Sequence, residues 1–195
     1  ILNSAKKLQN TTEDELYNDA LVRLNELIKK GTGAIEIKSG YGLTLNAELK
    51  ILRVIKRLKE NTDVSIKSTF LGAHAIPLEY KDNKEEYMDL VINEMLPKIA
   101  TENLADYVDI FCEKGYFTVA DTIRLLKAAN KFGISGKTHV NQFNAIGGVK
   151  ASVDLGALSV DHLEEMPDED YEALKGSNCM PTLLPGCSFF LGIPY

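Results

Sequence analysis

Two stretches decide the fold: Ile134-Ser135-Gly136-Lys137-Thr138-His139, running on into Val140-Asn141-Gln142, and Ala157-Leu158-Ser159-Val160-Asp161-His162. Each is a strand-sized run that ends on a histidine, and a helical pattern from Gly147 to Leu155 separates them. Strand, helix and strand in that order predict two parallel neighbours joined by a crossover, because parallel strands cannot be linked by a tight turn. The pattern continues outward. Strand-like runs occur at Ala34 to Lys38, Val64 to Leu71, Asp106 to Cys112 and Asn178 to Leu184. Helical spacing covers Leu16 to Lys30 behind an N-cap at Thr11 or Thr12, Leu49 to Leu58, Tyr87 to Ile99, Thr118 to Phe132 up to Gly133, and Asp168 to Lys175.

Six strand-like runs alternating with helices predict an α/β chain of parallel βα units. A complete eight-stranded (β/α) barrel takes about 250 residues, so 195 residues leave room for most of one. A doubly wound open sheet lacks its usual Gly-x-Gly-x-x-Gly after the first strand. The expectation is an incomplete TIM-type (β/α) barrel filling residues 1–195 as a single partial domain. The chain begins at Ile1 without methionine and stops at Tyr195 behind Leu191-Gly192-Ile193-Pro194, with no closing helix expected. It reads as a piece truncated at both ends.

Composition narrows the class. Hydrophobic residues make up 45% and charged residues 26%, the balance of a globular protein. The 28 acidic and 22 basic residues give a net charge of −6, with the basic ones dispersed, which argues against a nucleic-acid partner. No apolar run approaches the about 20 residues of a membrane span, and no signal-peptide pattern opens the chain, so a cytoplasmic protein is expected. Cys112, Cys179 and Cys187 form no Cys-x-x-Cys pair and are read as buried structural thiols.

The chemistry-bearing residues sit where strands end. All three histidines, His74, His139 and His162, close strand-like runs, and the C-terminal strand ends of a parallel barrel form its active-site rim. An imidazole fixed there can bind a metal through one nitrogen while an acceptor orients the other. Consecutive strands stand about 5 Å apart, so His139 and His162 can face one water or one metal. Asp161 is placed to orient His162 or to cap its loop. Gln142 offers hydrogen bonds but no carboxylate chemistry. In Lys38-Ser39-Gly40-Tyr41-Gly42-Leu43 the glycines allow close approach of a ligand and Tyr41 supplies a flat face and a hydroxyl. Glu113, ending its strand beside Phe111 and Cys112, is read as a solvated loop acid, with a further polar contact of the site as the alternative, and Leu183-Leu184-Pro185-Gly186 as a structural strand end.

Taken together, Ile35 to Leu43, Thr69 to Ala75, Asp109 to Glu113, His139 to Phe143, Asp161 to Glu164 and Leu184 to Gly186 resemble the imidazolonepropionases, metal-dependent hydrolases of the amidohydrolase superfamily. The resemblance implies strands two to seven of the parent barrel and one zinc or iron ion in the full-length enzyme. It also implies hydrolysis of the ring carbon–nitrogen bond of 4-imidazolone-5-propanoate to N-formimidoyl-L-glutamate in histidine breakdown. By position it makes His139 the metal ligand, His162 the proton carrier that activates water, and Tyr41 and His74 substrate contacts. Gln142 stands where the family often has glutamate, which limits it to hydrogen bonding. The family also needs a His-x-His pair at the first strand and an aspartate after the eighth, and this sequence has no His-x-His. The isolated piece is therefore expected to bind metal weakly and to be inactive, and its open edges to favour a homo-oligomer. The rival readings are another amidohydrolase acting on a cyclic amide or amidine, and a non-catalytic module derived from a barrel.

Overall fold

The computed structural model describes residues 1–194; Tyr195 lies outside the described residues. The chain divides into two compact units, residues 1–107 and 108–195.

The first unit opens with helix α1 (Leu2–Asn10), which the pattern reading did not anticipate. Helix α2 (Glu13–Lys29) starts at Thr12, whose hydroxyl accepts from the Glu15 amide while the Glu15 carboxylate accepts from the Thr12 amide. That reciprocal capping box satisfies two amides the first turn leaves over. Strand β1 (Ala34–Lys38) then runs parallel to β2 (Ser65–Ala73), with Ala34 opposite Ser65 and Lys38 opposite Thr69. Between them helix α3 (Leu45–Glu60) buries Leu49, Leu52, Ile55 and Leu58, the stripe its spacing predicts.

The helix expected from Tyr87 to Ile99 is built as α4 (Lys84–Leu90), a π turn over Val91–Met95, and α5 (Leu96–Thr101). Pro97 explains the interruption: its ring crowds the carbonyl four residues earlier, and the wider π turn relieves the clash. Tyr87, Val91, Met95 and Ile99 are buried through it.

The second unit holds β3 (Tyr107–Cys112) from Val108 onward, and β3, β4 (Ser135–Val140), β5 (Ser159–His162) and β6 (Met180–Thr182) stand side by side in chain order. The β4–β5 and β5–β6 pairs are parallel, and the register sets His139 against Asp161. Helices α6 (Val119–Asn130), α7 (Gly148–Asp154) and α8 (Asp168–Lys175) make the crossovers. Thr118 and Asp121 cap α6 with a second capping box. Cys112, Val140, Val149, Val160, Leu163 and Cys179 form the core. A Cβ added to Gly148 would meet Val140 Cγ1 at 2.8 Å and Cys112 Sγ at 3.0 Å, so α7 packs at glycine distance.

Two expectations change at the end of this unit. The last strand spans only three residues, and Pro185 and Gly186 open a helix, α9 (Pro185–Leu191), where a strand end and a helix-free tail were expected. Proline suits a first helical turn, where its missing N–H is not needed. Cys187 is only half-buried, unlike Cys112 and Cys179. No helix of the described residues is long and apolar enough to cross a membrane.

Candidate functional site

The second unit gathers three side chains of metal-ligating type from three successive strands. Asp109 of β3, His139 of β4 and Asp161 of β5 each offer a ligand atom, all within 4.8 Å of one another, and the group can hold a metal ion. The His139 Nδ1 lies 3.0 Å from Asp109 Oδ1 and 2.9 Å from Oδ2, and the Asp109 carboxylate is fully buried. A carboxylate only accepts, so Nδ1 carries the proton and Nε2 carries the lone pair that can bind a metal. The partner that orients the histidine is therefore Asp109, an acid within an apolar strand. Its signal in the sequence is a lone charge among Val108, Ile110, Phe111 and Cys112.

His162 closes β5 with its ring centroid 5.2 Å from that of His139. Alternation along β5 would send His162 to the opposite face from Asp161. A left-handed backbone, with φ of 92° at His162 and 66° at Leu163, goes with its approach to His139. Such conformations cost about 1–3 kcal/mol each and persist where the surroundings enforce them. Burial first, and then the neighbouring His139, push the His162 pKa below its ordinary value, against an opposing pull from Glu164. The acid beside His162 Nδ1 is Glu164, at 3.6 Å, rather than Asp161, which accepts from the Ser159 hydroxyl. Ser188 of α9 donates to the same Glu164 oxygen. Among the described residues, His162 Nδ1 and Glu164 Oε2 are buried with no hydrogen bond.

The loop after β4 is held from two sides. Asn141, left-handed at φ 55°, donates from Nδ2 to the Glu165 carbonyl and to Asp170 Oδ2, both at 2.7 Å. Glu113 accepts from the amides of Phe143 at 2.9 Å and Asn144 at 3.2 Å and from Asn144 Nδ2 at 2.9 Å. It is 2% exposed, which corrects its reading as a solvated acid: loop amides replace its water. Gln142 on this loop is also buried and donates from Nε2 to Cys187 Sγ at 3.7 Å.

In the first unit the structure brings Tyr41 and His74 together. Their rings meet edge to face with centroids 5.2 Å apart, and the His74 Nδ1 donates to the Gly40 carbonyl at 3.1 Å. The glycines are required for packing within the chain. A Cβ on Gly40 would stand 2.6 Å from the Leu71 carbonyl oxygen, and one on Gly42 would stand 2.7 Å from the backbone of Ala47 and Glu48.

Solved structures share this fold. The adenine deaminase from Arthrobacter aurescens superposes with a TM-score of 0.72 at 15% identity, over 97% of this chain and 58% of its own. The guanine deaminase from C. acetobutylicum gives 0.68 at 14%, over 98% and 48%. Parallel strands with crossover helices and a histidine–carboxylate cluster at successive strands define a partial TIM-type (β/α) barrel with a candidate metal centre. No family model matches the chain. The imidazolonepropionase of Christiangramia forsetii is 66% identical over all 195 residues, that of Flavobacterium johnsoniae 60%, and that of Shewanella piezotolerans 48% over 191 residues. Over nearly its whole length the chain is similar to these imidazolonepropionases, and it spans 47% of the length of each of them.

Proposed function

We propose that the 195 residues are the central part of an enzyme that hydrolyses the ring carbon–nitrogen bond of 4-imidazolone-5-propanoate to N-formimidoyl-L-glutamate in histidine degradation. The observation that carries the reading is the His139–His162 pair, 5.2 Å apart between ring centroids, in a chain so similar to enzymes of that name. His139, oriented by Asp109, would hold a zinc or iron ion through Nε2, with ligands from the rest of the full-length protein; the donor set of imidazole and carboxylate suits either metal. Such an ion is a Lewis acid that polarises a carbonyl and brings the pKa of water towards about 7.

The remaining steps fall to this chain's own groups. His162 takes a proton from the attacking water and returns it to the departing ring nitrogen, the role its neutral imidazole suits. Glu164, 3.6 Å from Nδ1, favours the protonated imidazole that forms when His162 takes up the proton. Gln142 supplies hydrogen bonds only. Tyr41 and His74 bind the substrate. The full-length enzyme works in the cytoplasm on a small molecule, and the 195 residues form one truncated barrel domain.

The test is turnover of 4-imidazolone-5-propanoate by the full-length protein, with other cyclic amides and purines assayed beside it. Hydrolysis of one of those with none of imidazolone propionate would overturn the assignment. The 195-residue chain alone is expected to be inactive and to retain less than one metal ion per chain by elemental analysis. Stoichiometric tight metal would contradict that expectation.

A further inference from the structure

Glu48 is a fully buried carboxylate in the first turn of α3, and nothing in the proposed chemistry uses it. Its two oxygens accept three backbone amides of one loop: Gly40 at 2.9 Å on Oε2, and Gly42 at 2.7 Å and Leu43 at 2.9 Å on Oε1. Burying a carboxylate is costly unless its lone pairs are met, and hydrogen bonds to an ionised acceptor are the strong kind. The N-terminal end of α3 adds a favourable dipole. The amides on either side of residue 41 are therefore locked inward, while Tyr41 itself is 43% exposed. The same loop's Gly40 carbonyl fixes His74 through Nδ1. Leu43 is held left-handed at φ 57° and buried, a conformation an unsupported leucine would leave.

We infer that Glu48 is a positioning residue for substrate binding: it presents Tyr41 and His74 as one preformed subsite. The inference rests on the reading of those two residues as substrate contacts. A preformed subsite avoids the entropy of ordering a loop on binding, so its loss appears in KM rather than kcat. Replacing the acceptor by an amide puts N–H against N–H and frees the loop.

The experiment uses the full-length enzyme with Glu48→Gln, Tyr41→Phe and the double variant. Glu48→Gln is expected to raise KM for imidazolone propionate about tenfold with kcat changed less than about threefold, and the double variant to fall short of the product of the two single effects. An unchanged KM in Glu48→Gln, with active wild type, overturns the inference alone, as does full additivity with Tyr41→Phe. An inactive wild type overturns the reading beneath it. Hydrogen exchange of the wild-type enzyme needs no variant to fold: slow exchange at Gly40, Gly42 and Leu43 supports the clamp, and exchange at open-loop rates refutes it.

Discussion

At the scale of single residues, the candidate centre is built on buried carboxylates, Asp109 at 0% and Asp161 at 5% exposure. Asp109→Asn keeps the volume but can no longer enforce proton placement on His139 Nδ1. On the proposed reading, metal affinity of the full-length protein should fall about 10- to 100-fold, the usual consequence of losing an orienting acid, and equilibrium dialysis with elemental analysis measures it. An unchanged affinity would mean that Asp109 does not orient His139. The thiols offer a second check. Burial, with Asp161 nearby, pushes Cys179 up to about 11, and burial also raises Cys112. At pH 8 both are then almost wholly protonated, and the thiolate is the reactive form. Native alkylation followed by mass spectrometry should label the half-buried Cys187 ahead of both; earlier labelling of Cys179 would contradict its burial.

At the scale of elements, the strand ends were legible in the sequence. His74 follows the last residue of β2, His139 lies one residue from the end of β4, and His162 is the last residue of β5. Period-2 runs with glycine or histidine stops expose such boundaries directly. The buried acids were not legible. Glu113 binds amides 30 and 31 residues away, and a backbone amide leaves no mark on the sequence that would reveal its partner. The left-handed turn at His162 and Leu163 was hidden for a related reason, since neither residue type announces a positive φ. Helix packing gives a test at this scale. Gly148→Ala forces a methyl against Val140 and Cys112 and should destabilise the protein by about 1–3 kcal/mol. Thr118→Ala, which removes the α6 cap, should cost about 1 kcal/mol. Urea unfolding of the full-length enzyme measures both, and a neutral Gly148→Ala would show that α7 can shift away from β4.

At the scale of the whole molecule, exposed apolar side chains gather near the end of the second unit. Met180, Leu183, Phe189 and Phe190 are 64%, 69%, 79% and 87% exposed, and apolar patches of this kind drive association. The isolated chain should self-associate with rising concentration in light scattering, and Phe189→Ser with Phe190→Ser should weaken that association. A monomer at high concentration would count against it. The bonds that organise the second unit's loops also have a consequence for biosynthesis. Glu113 reaches Asn144, and Asn141 reaches Asp170, spans of 31 and 29 residues. Each joins one βα repeat to the next rather than one end of the chain to the other, and contacts of short reach form early. The loops can thus lock one after another as the ribosome releases the chain, the rim taking shape in the order of translation.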